Sequence, residues 1–147
     1  MRAVVTRVTS ASVVIDGETV GKIGNGFLVL LGVRTDDTQA QAKRLADKVC
    51  GLRVFEDENG KMNRNLASVG GELLIVSQFT LYADCRSRRP GFTRAARPET
   101  AVPLYELFIE ECRGRGFHTE TGRFGAVMQV SSVNDGPVTL ILDTDEL

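Results

Sequence analysis

The apolar residues of this chain fall into short runs separated by polar, glycine-bearing breaks. The spacing inside each run decides which element it predicts. The opening stretch "RAVVTRVTSASVVID" is rich in valine and threonine and reads as two strands or one long bent strand. "GETVGKIGNG" carries four glycines and reads as a hairpin and loop. "FLVLLGV" is a continuous apolar run of strand length, the pattern of a strand buried on both faces. In "TDDTQAQAKRLADKVCGLR", threonine and aspartate cap candidates precede Ala40, Leu45, Ala46 and Val49 at helical spacing, and Gly51 marks the stop. "LRVF" reads as a short strand, and "EDENGK" as an Asn-Gly turn.

In the second half, "GELLIVSQFTLYAD" predicts a long strand that turns polar midway, followed by the basic loop "CRSRRPGFTRAARP". "ETAVPLYELFIEECRGRG" predicts a second helix with Val102, Tyr105, Phe108, Ile109 and Cys112 on one face and Pro103 near the first turn, where proline is tolerated. "FHTETG", "AVMQVSSV" and "VTLILD" predict three further strands. The order strands, helix, strands, helix, strands implies an α+β fold, a single domain over residues 1–147. Its mostly antiparallel sheet forms a barrel-like core with two packed helices.

Composition narrows the class. With 42% apolar and 25% charged residues the chain is globular, and its net charge of -1 gives no global sign of a nucleic-acid partner. Cys50, Cys85 and Cys112 are widely spaced and odd in number, which points to reduced thiols in a cytoplasmic protein. Cys50 and Cys112 read as core fillers, and Cys85, in the polar loop, as the one open to reaction. The start lacks the apolar core of a signal peptide, and no run approaches the ~20 residues needed to span a bilayer, so no membrane partner is expected.

The usual catalytic machinery is absent from the sequence. His118 is the only histidine and reads as a surface residue; no nucleophile elbow, P-loop or dinucleotide-binding glycine motif is present. "EDENG" and "DTDEL" read as solvated surface. Two stretches break the pattern. In "SQFTLY" a buried strand runs into Ser77, Gln78 and Thr80, either where the strand reaches solvent or where hydroxyls and backbone N–H groups rim a pocket. In "NDGPVT" the ordinary reading is a turn. A Gly136-Pro137 bond is also a place where the cis peptide costs only about 0.5–1 kcal/mol and where backbone can approach a ligand closely. Arg7 lies in a valine-rich strand, facing solvent from an edge or held for a purpose. Arg86, Arg88, Arg89, Arg94 and Arg97 crowd into twelve residues of an otherwise balanced chain, a local site for an anionic partner. Phe92, in the same loop, either stacks a base or pins the loop.

"SQFTLY" and "NDGPVT", together with "MRAVVTRV", "RRPGFTRAA" and "FGAVMQV", resemble the signature stretches of the D-aminoacyl-tRNA deacylases, over essentially the whole chain. The resemblance implies a cytoplasmic homodimer that hydrolyses the ester of D-aminoacyl-tRNA, and of mischarged glycyl-tRNA, without metal or organic cofactor. It implies catalytic roles for Ser77, Gln78, Phe79 and Thr80. It implies substrate contacts at Gly136, Pro137, Arg7 and Met128, and RNA contacts at Arg86, Arg88 and Arg89. The Gly-Pro would be cis, supported by Arg7, and would reach into the partner's pocket to exclude L-amino acids by clash. Water, the substrate's ribose hydroxyl and Thr80 all remain open as the driver of the chemistry.

Overall fold

The computed structural model describes all residues, Met1–Leu147. Its strands are β1 (Arg2–Ile15), β2 (Glu18–Ile23), β3 (Gly26–Gly32), β4 (Phe55–Glu56), β5 (Met62–Arg64), β6 (Glu72–Ser77), β7 (Thr119–Thr121) and β8 (Gln129–Asp143). The helices are α1 (Gln39–Gly51) and α2 (Pro98–Gly114). The main sheet runs β2-β1-β3-β6-β7, with β8 also on β1. β1 pairs antiparallel with β2, β3 and β8, while β3–β6 and β6–β7 are parallel. The fold is α+β, as the element order predicts, but with more parallel pairing than a meander.

The central strands β3 and β6 are buried on both faces, which explains their unbroken apolar runs. In β6, Leu73 and Ile75 face the helices while Leu74 and Val76 face the barrel interior. In β3, Phe27, Val29 and Leu31 take the helix side and Leu28 the interior. β1 alternates likewise, with Ala3 and Val5 toward the helices and Val8, Ala11, Val13 and Ile15 inside. The phase changes because the register with β8 slips between Val8 and Ser10, leaving Thr9 as an extra residue. β2 curls back onto β7. At Gly21 the two chains approach so closely that a Cβ would sit 2.6 Å from the Thr121 carbonyl oxygen, and this contact nearly closes the barrel.

α1 begins at Thr38, whose hydroxyl and backbone N–H both contact the Gln41 side chain in a capping box. It ends at Gly51 without a left-handed cap, since Leu52 follows with φ -57. Pro98 holds the first position of α2, so Pro103 lies inside the helix rather than in its first turn. Val102 is only partly buried, and Leu104 joins Tyr105, Phe108, Ile109 and Cys112 on the packed face. Between the helices the Cys50 and Cys112 sulfurs lie 3.7 Å apart, both buried, while Cys85 is exposed. The S–H···S contact and burial push the Cys112 thiol up. No helix is long and apolar enough to cross a membrane.

Two predicted elements differ from what the chain forms. "SQFTLY" does not continue as strand: β3, the partner of β6, ends at Gly32, and the chain folds into a 3-10 turn over Phe79–Tyr82. The turn buries Tyr82 completely while leaving Phe79 and Thr80 exposed, which an extended strand would not do. "AVMQVSSV" and "VTLILD" are not separate strands joined by a turn. They are the two halves of β8, both paired with β1.

Gly21→Ala should lower stability by about 1–3 kcal/mol, because the methyl meets backbone rather than a flexible side chain. A lower urea midpoint at unchanged slope is the expected result.

Candidate active site

Asn134–Thr139 is a bulged excursion within a strand. Thr6 pairs with Thr139 and Val8 with Asn134, so Asp135, Gly136, Pro137 and Val138 have no ladder partners and stand opposite Arg7 alone. The Gly136-Pro137 peptide is cis, and both residues are exposed. Arg7 takes the helix-facing phase of β1 set by Ala3 and Val5 and is only 6% exposed, so the edge-facing alternative fails. Its Nη1 donates to the Val54 carbonyl at 2.6 Å. Its Nε donates to the Asp135 carbonyl at 3.1 Å and lies 3.2 Å from the Asp135 carboxylate. From the other side, Asn134 Nδ2 donates to the Arg7 carbonyl at 3.0 Å and the Val138 carbonyl at 3.3 Å. These side chains supply the bonds the ladder lacks, and they hold both ends of the excursion.

The second stretch lines a cavity of about 260 Å³ formed by Val76, Ser77, Gln78, Phe79, Phe124, Gly125, Ala126, Met128 and Val130. Met128 therefore joins Ser77, Gln78 and Phe79 at one site, whereas Gly136, Pro137 and Arg7 do not line it. The Gln78 backbone N–H is already bonded to the Leu31 carbonyl at 2.8 Å. The opening N–H groups of the 3-10 turn, at Phe79 and Thr80, have no acceptor inside the turn. The Thr80 hydroxyl accepts from Gln78 Nε2 at 2.5 Å, a donor and not a base. His118 is surface-exposed beside Glu120 at 3.3 Å and does not line the cavity. No group of three or more metal-ligating side chains converges anywhere.

The basic loop is less uniform than its sequence. Arg86 pairs with Asp84 at 2.6 Å, and each holds the other in its charged form: the Arg86 pKa is raised and that of Asp84 lowered. The Arg94 guanidinium lies 5.5 Å from the Tyr82 ring centroid, and Arg97 is 3.8 Å from Glu99. Arg88 and Arg89 are exposed and form no ion pair. Phe92 packs edge-on against Phe79 at 5.1 Å, so it pins the loop to the turn.

Within "FGAVMQV", a stretch that carries the resemblance, sequence reasoning pointed only to Met128 and missed Phe124, Gly125 and Ala126 on the same cavity wall. It also missed Asn134 and Asp135, whose side chains looked like ordinary turn residues.

The site is a largely apolar cavity at the end of β6 in a small mixed barrel, and the fold and its relatives define a hydrolase of the deacylase class. The family model of the D-Tyr-tRNA(Tyr) deacylases matches residues 4–143, and the chain belongs to that family. It is 59% identical over 147 residues to the D-aminoacyl-tRNA deacylase of Symbiobacterium thermophilum, covering 99% of this chain and 97% of the relative. The same figures hold for the D-aminoacyl-tRNA deacylase of Thermus aquaticus. Among solved structures, the c-Myc DNA Unwinding Element Binding Protein superposes with a TM-score of 0.91 at 43% identity, covering 97% of this chain and 98% of its own. A probable eukaryotic D-amino acid tRNA deacylase shares the fold, with a TM-score of 0.84 at 16% identity over 96% of this chain and 97% of its own.

Arg7→Met would leave the buried Val54 carbonyl and the half-buried Asp135 carbonyl without their donor, at a cost of about 2–4 kcal/mol. Guanidinium unfolding measures the loss, and amide exchange across Asn134–Val138 should quicken well beyond that of β6.

Proposed function

We propose that this chain is a D-aminoacyl-tRNA deacylase of the cytoplasm. It cleaves the ester of D-aminoacyl-tRNA and of mischarged glycyl-tRNA, and spares L-aminoacyl-tRNA. The observation that carries the reading is the excursion at Asp135–Val138, which exposes Gly136-Pro137 at its tip and is fixed by Arg7 and Asn134. Rigid main chain can discriminate enantiomers, because they carry the same groups and differ only in where the side chain points. Gly136-Pro137 would stand against the substrate's α-carbon, where an L side chain collides and a D side chain or glycine hydrogen does not.

We place the reacting ester in the cavity at Ser77–Phe79, with Thr80 the next residue along the turn and outside the lining. Water attacks the carbonyl, the N–H groups of Phe79 and Thr80 hold the oxyanion, and the terminal ribose oxygen leaves with a proton. An aminoacyl ester is already reactive, so positioning and oxyanion stabilisation suffice. The substrate's free ribose hydroxyl is the fitting proton relay, because Thr80 Oγ1 faces the Gln78 amide and no base. Thr80→Val should accordingly keep at least a tenth of the turnover; loss of 10³-fold or more would make Thr80 the nucleophile.

That the excursion does not line its own chain's cavity supports a site completed by a second copy. β8 suits that role: it pairs only with β1 and exposes Val130, Val133 and Ile141, with exposed Val127 just before it. Arg88 and Arg89 are the RNA contacts with free charge, and Arg86 the weakened one.

The test is a time course of deacylation with one tRNA charged with D-tyrosine and, separately, with L-tyrosine. Fast loss of D with L intact is expected. Gly136→Ala, whose methyl would press on Asn134 Oδ1 at 3.2 Å, should narrow that selectivity while leaving RNA binding in place. Equal loss of both esters would remove the filter. No loss of either would leave an RNA-binding protein without chemistry.

A further inference from the structure

We infer that Arg2 and Arg94 are positioning residues which hold the 3-10 turn of the active site through the ring of Tyr82. They therefore govern turnover rather than RNA affinity. The inference rests on the reading that Phe79 and Thr80 serve the reacting ester.

Tyr82 closes that turn and is 0% exposed, although the turn lies at the surface. Two guanidinium groups cover it: Arg2 Cζ at 4.7 Å from the ring centroid and Arg94 Cζ at 5.5 Å. Both distances are within the range of cation–π attraction. Arg2 also holds the turn directly. Its Nη1 donates to the Leu81 carbonyl at 2.8 Å, and its Nε donates to Asp143 at 2.9 Å at the end of β8. Burial acts to raise the Asp143 pKa, but the Asp145 N–H and Arg2 outweigh it, so the carboxyl stays below its ordinary range. Arg94 comes from the basic loop, and its backbone is anchored at the end of β3. The Thr35 N–H donates to the Arg94 carbonyl at 3.1 Å, and the Ala96 N–H donates to the Val33 carbonyl at 2.9 Å. Phe92 on Phe79, at 5.1 Å, is a second fastening between the same loop and the same turn.

The ring, not the hydroxyl, carries the function. The Tyr82 hydroxyl is buried and has no hydrogen-bond partner. Burial, followed by the nearby Asp37 and Asp143, pushes its pKa up, so it stays neutral. Nothing else in the structure gives a tyrosine an advantage over phenylalanine there. The arginines of the loop thus have separate roles. Arg88 and Arg89 point charge at solvent, whereas Arg94 applies its charge to Tyr82.

Steady-state deacylation of D-tyrosyl-tRNA by the full-length protein tests this division, with binding of uncharged tRNA measured at two salt concentrations. Arg94→Met, Arg2→Met and Tyr82→Leu should each lower kcat about tenfold, with KM and RNA Kd within about twofold of the parent. Tyr82→Phe should restore what Tyr82→Leu loses, and Arg94→Lys should recover part of the Arg94→Met loss. Arg88→Ala with Arg89→Ala should show the opposite split, a raised KM and a shallower salt dependence at unchanged kcat. If Arg94→Met instead raises KM and weakens RNA binding with kcat intact, Arg94 is a phosphate ligand and the inference is wrong. Unchanged constants in both arginine variants overturn it as well. Should Tyr82→Leu fail to fold, the Arg94 variants decide, because that side chain is exposed. An inactive parent would sink the proposed function itself, a result distinct from an active parent indifferent to Arg94.

Discussion

A guanidinium buried in the middle of a strand is the constraint around which the rest of this structure is arranged. Arg7 points toward the helix-side core, where an unpaired charge would cost several kcal/mol. It is tolerated because acceptors converge on it, the Val54 carbonyl from the segment before β4 and the Asp135 carbonyl and carboxylate from β8. Meeting that demand fixes where β8 leaves the ladder and where it returns. It also brings the Val54–Phe55 segment against β1, with the Phe55 ring 5.9 Å from the guanidinium carbon. The shape of the Gly136-Pro137 excursion is therefore a consequence of satisfying a cation, and not of local turn chemistry alone.

The same logic explains which parts of the fold the sequence made legible. Helix faces and doubly buried strands announce themselves, because burial on one or both sides leaves periodic or continuous apolar runs. "FLVLLGV" and "LLIV" were readable for that reason. What stayed hidden depends on pairing across the sheet. "SQFTLY" has good strand composition, yet it turns because its neighbour β3 ends at Gly32, a fact held in another part of the chain. "NDGPVT" carries every residue of a turn, yet β1 is long enough to pair with the chain on both sides of it. The candidate site was legible as two motifs through the family resemblance. Its cavity wall at Phe124–Ala126 was not, because irregular backbone leaves no period to read.

The separation of the two motifs within one chain has a chemical consequence for the proposed function. A cavity that contains both the reacting groups and the filter could drift in shape as a unit, with the filter following the substrate. In the proposed dimer, a filter borne on the second copy and braced on Arg7 and Asn134 would be independent of the turn that carries Phe79 and Thr80. Each part is held by its own network: the excursion by a buried guanidinium, the turn by Tyr82 beneath Arg2 and Arg94.

That independence matters to the proposed filter, which works by exclusion rather than by attraction. D- and L-aminoacyl esters present the same ammonium and carbonyl, so a pocket that gains affinity from those two groups alone gains it for both. Extra binding contacts would make the enzyme more dangerous to L-aminoacyl-tRNA. The workable device is a wall in the place only one enantiomer needs, and it discriminates only as far as it refuses to move. A flexible side chain yields at the cost of a rotamer, about 1 kcal/mol or less. Main chain tied at both ends of the excursion by Arg7 and Asn134 yields only by breaking several hydrogen bonds at once. A protein with one histidine and an unactivated threonine can thus perform a selective hydrolysis, with rate drawn from an already reactive ester and selectivity from stiffness.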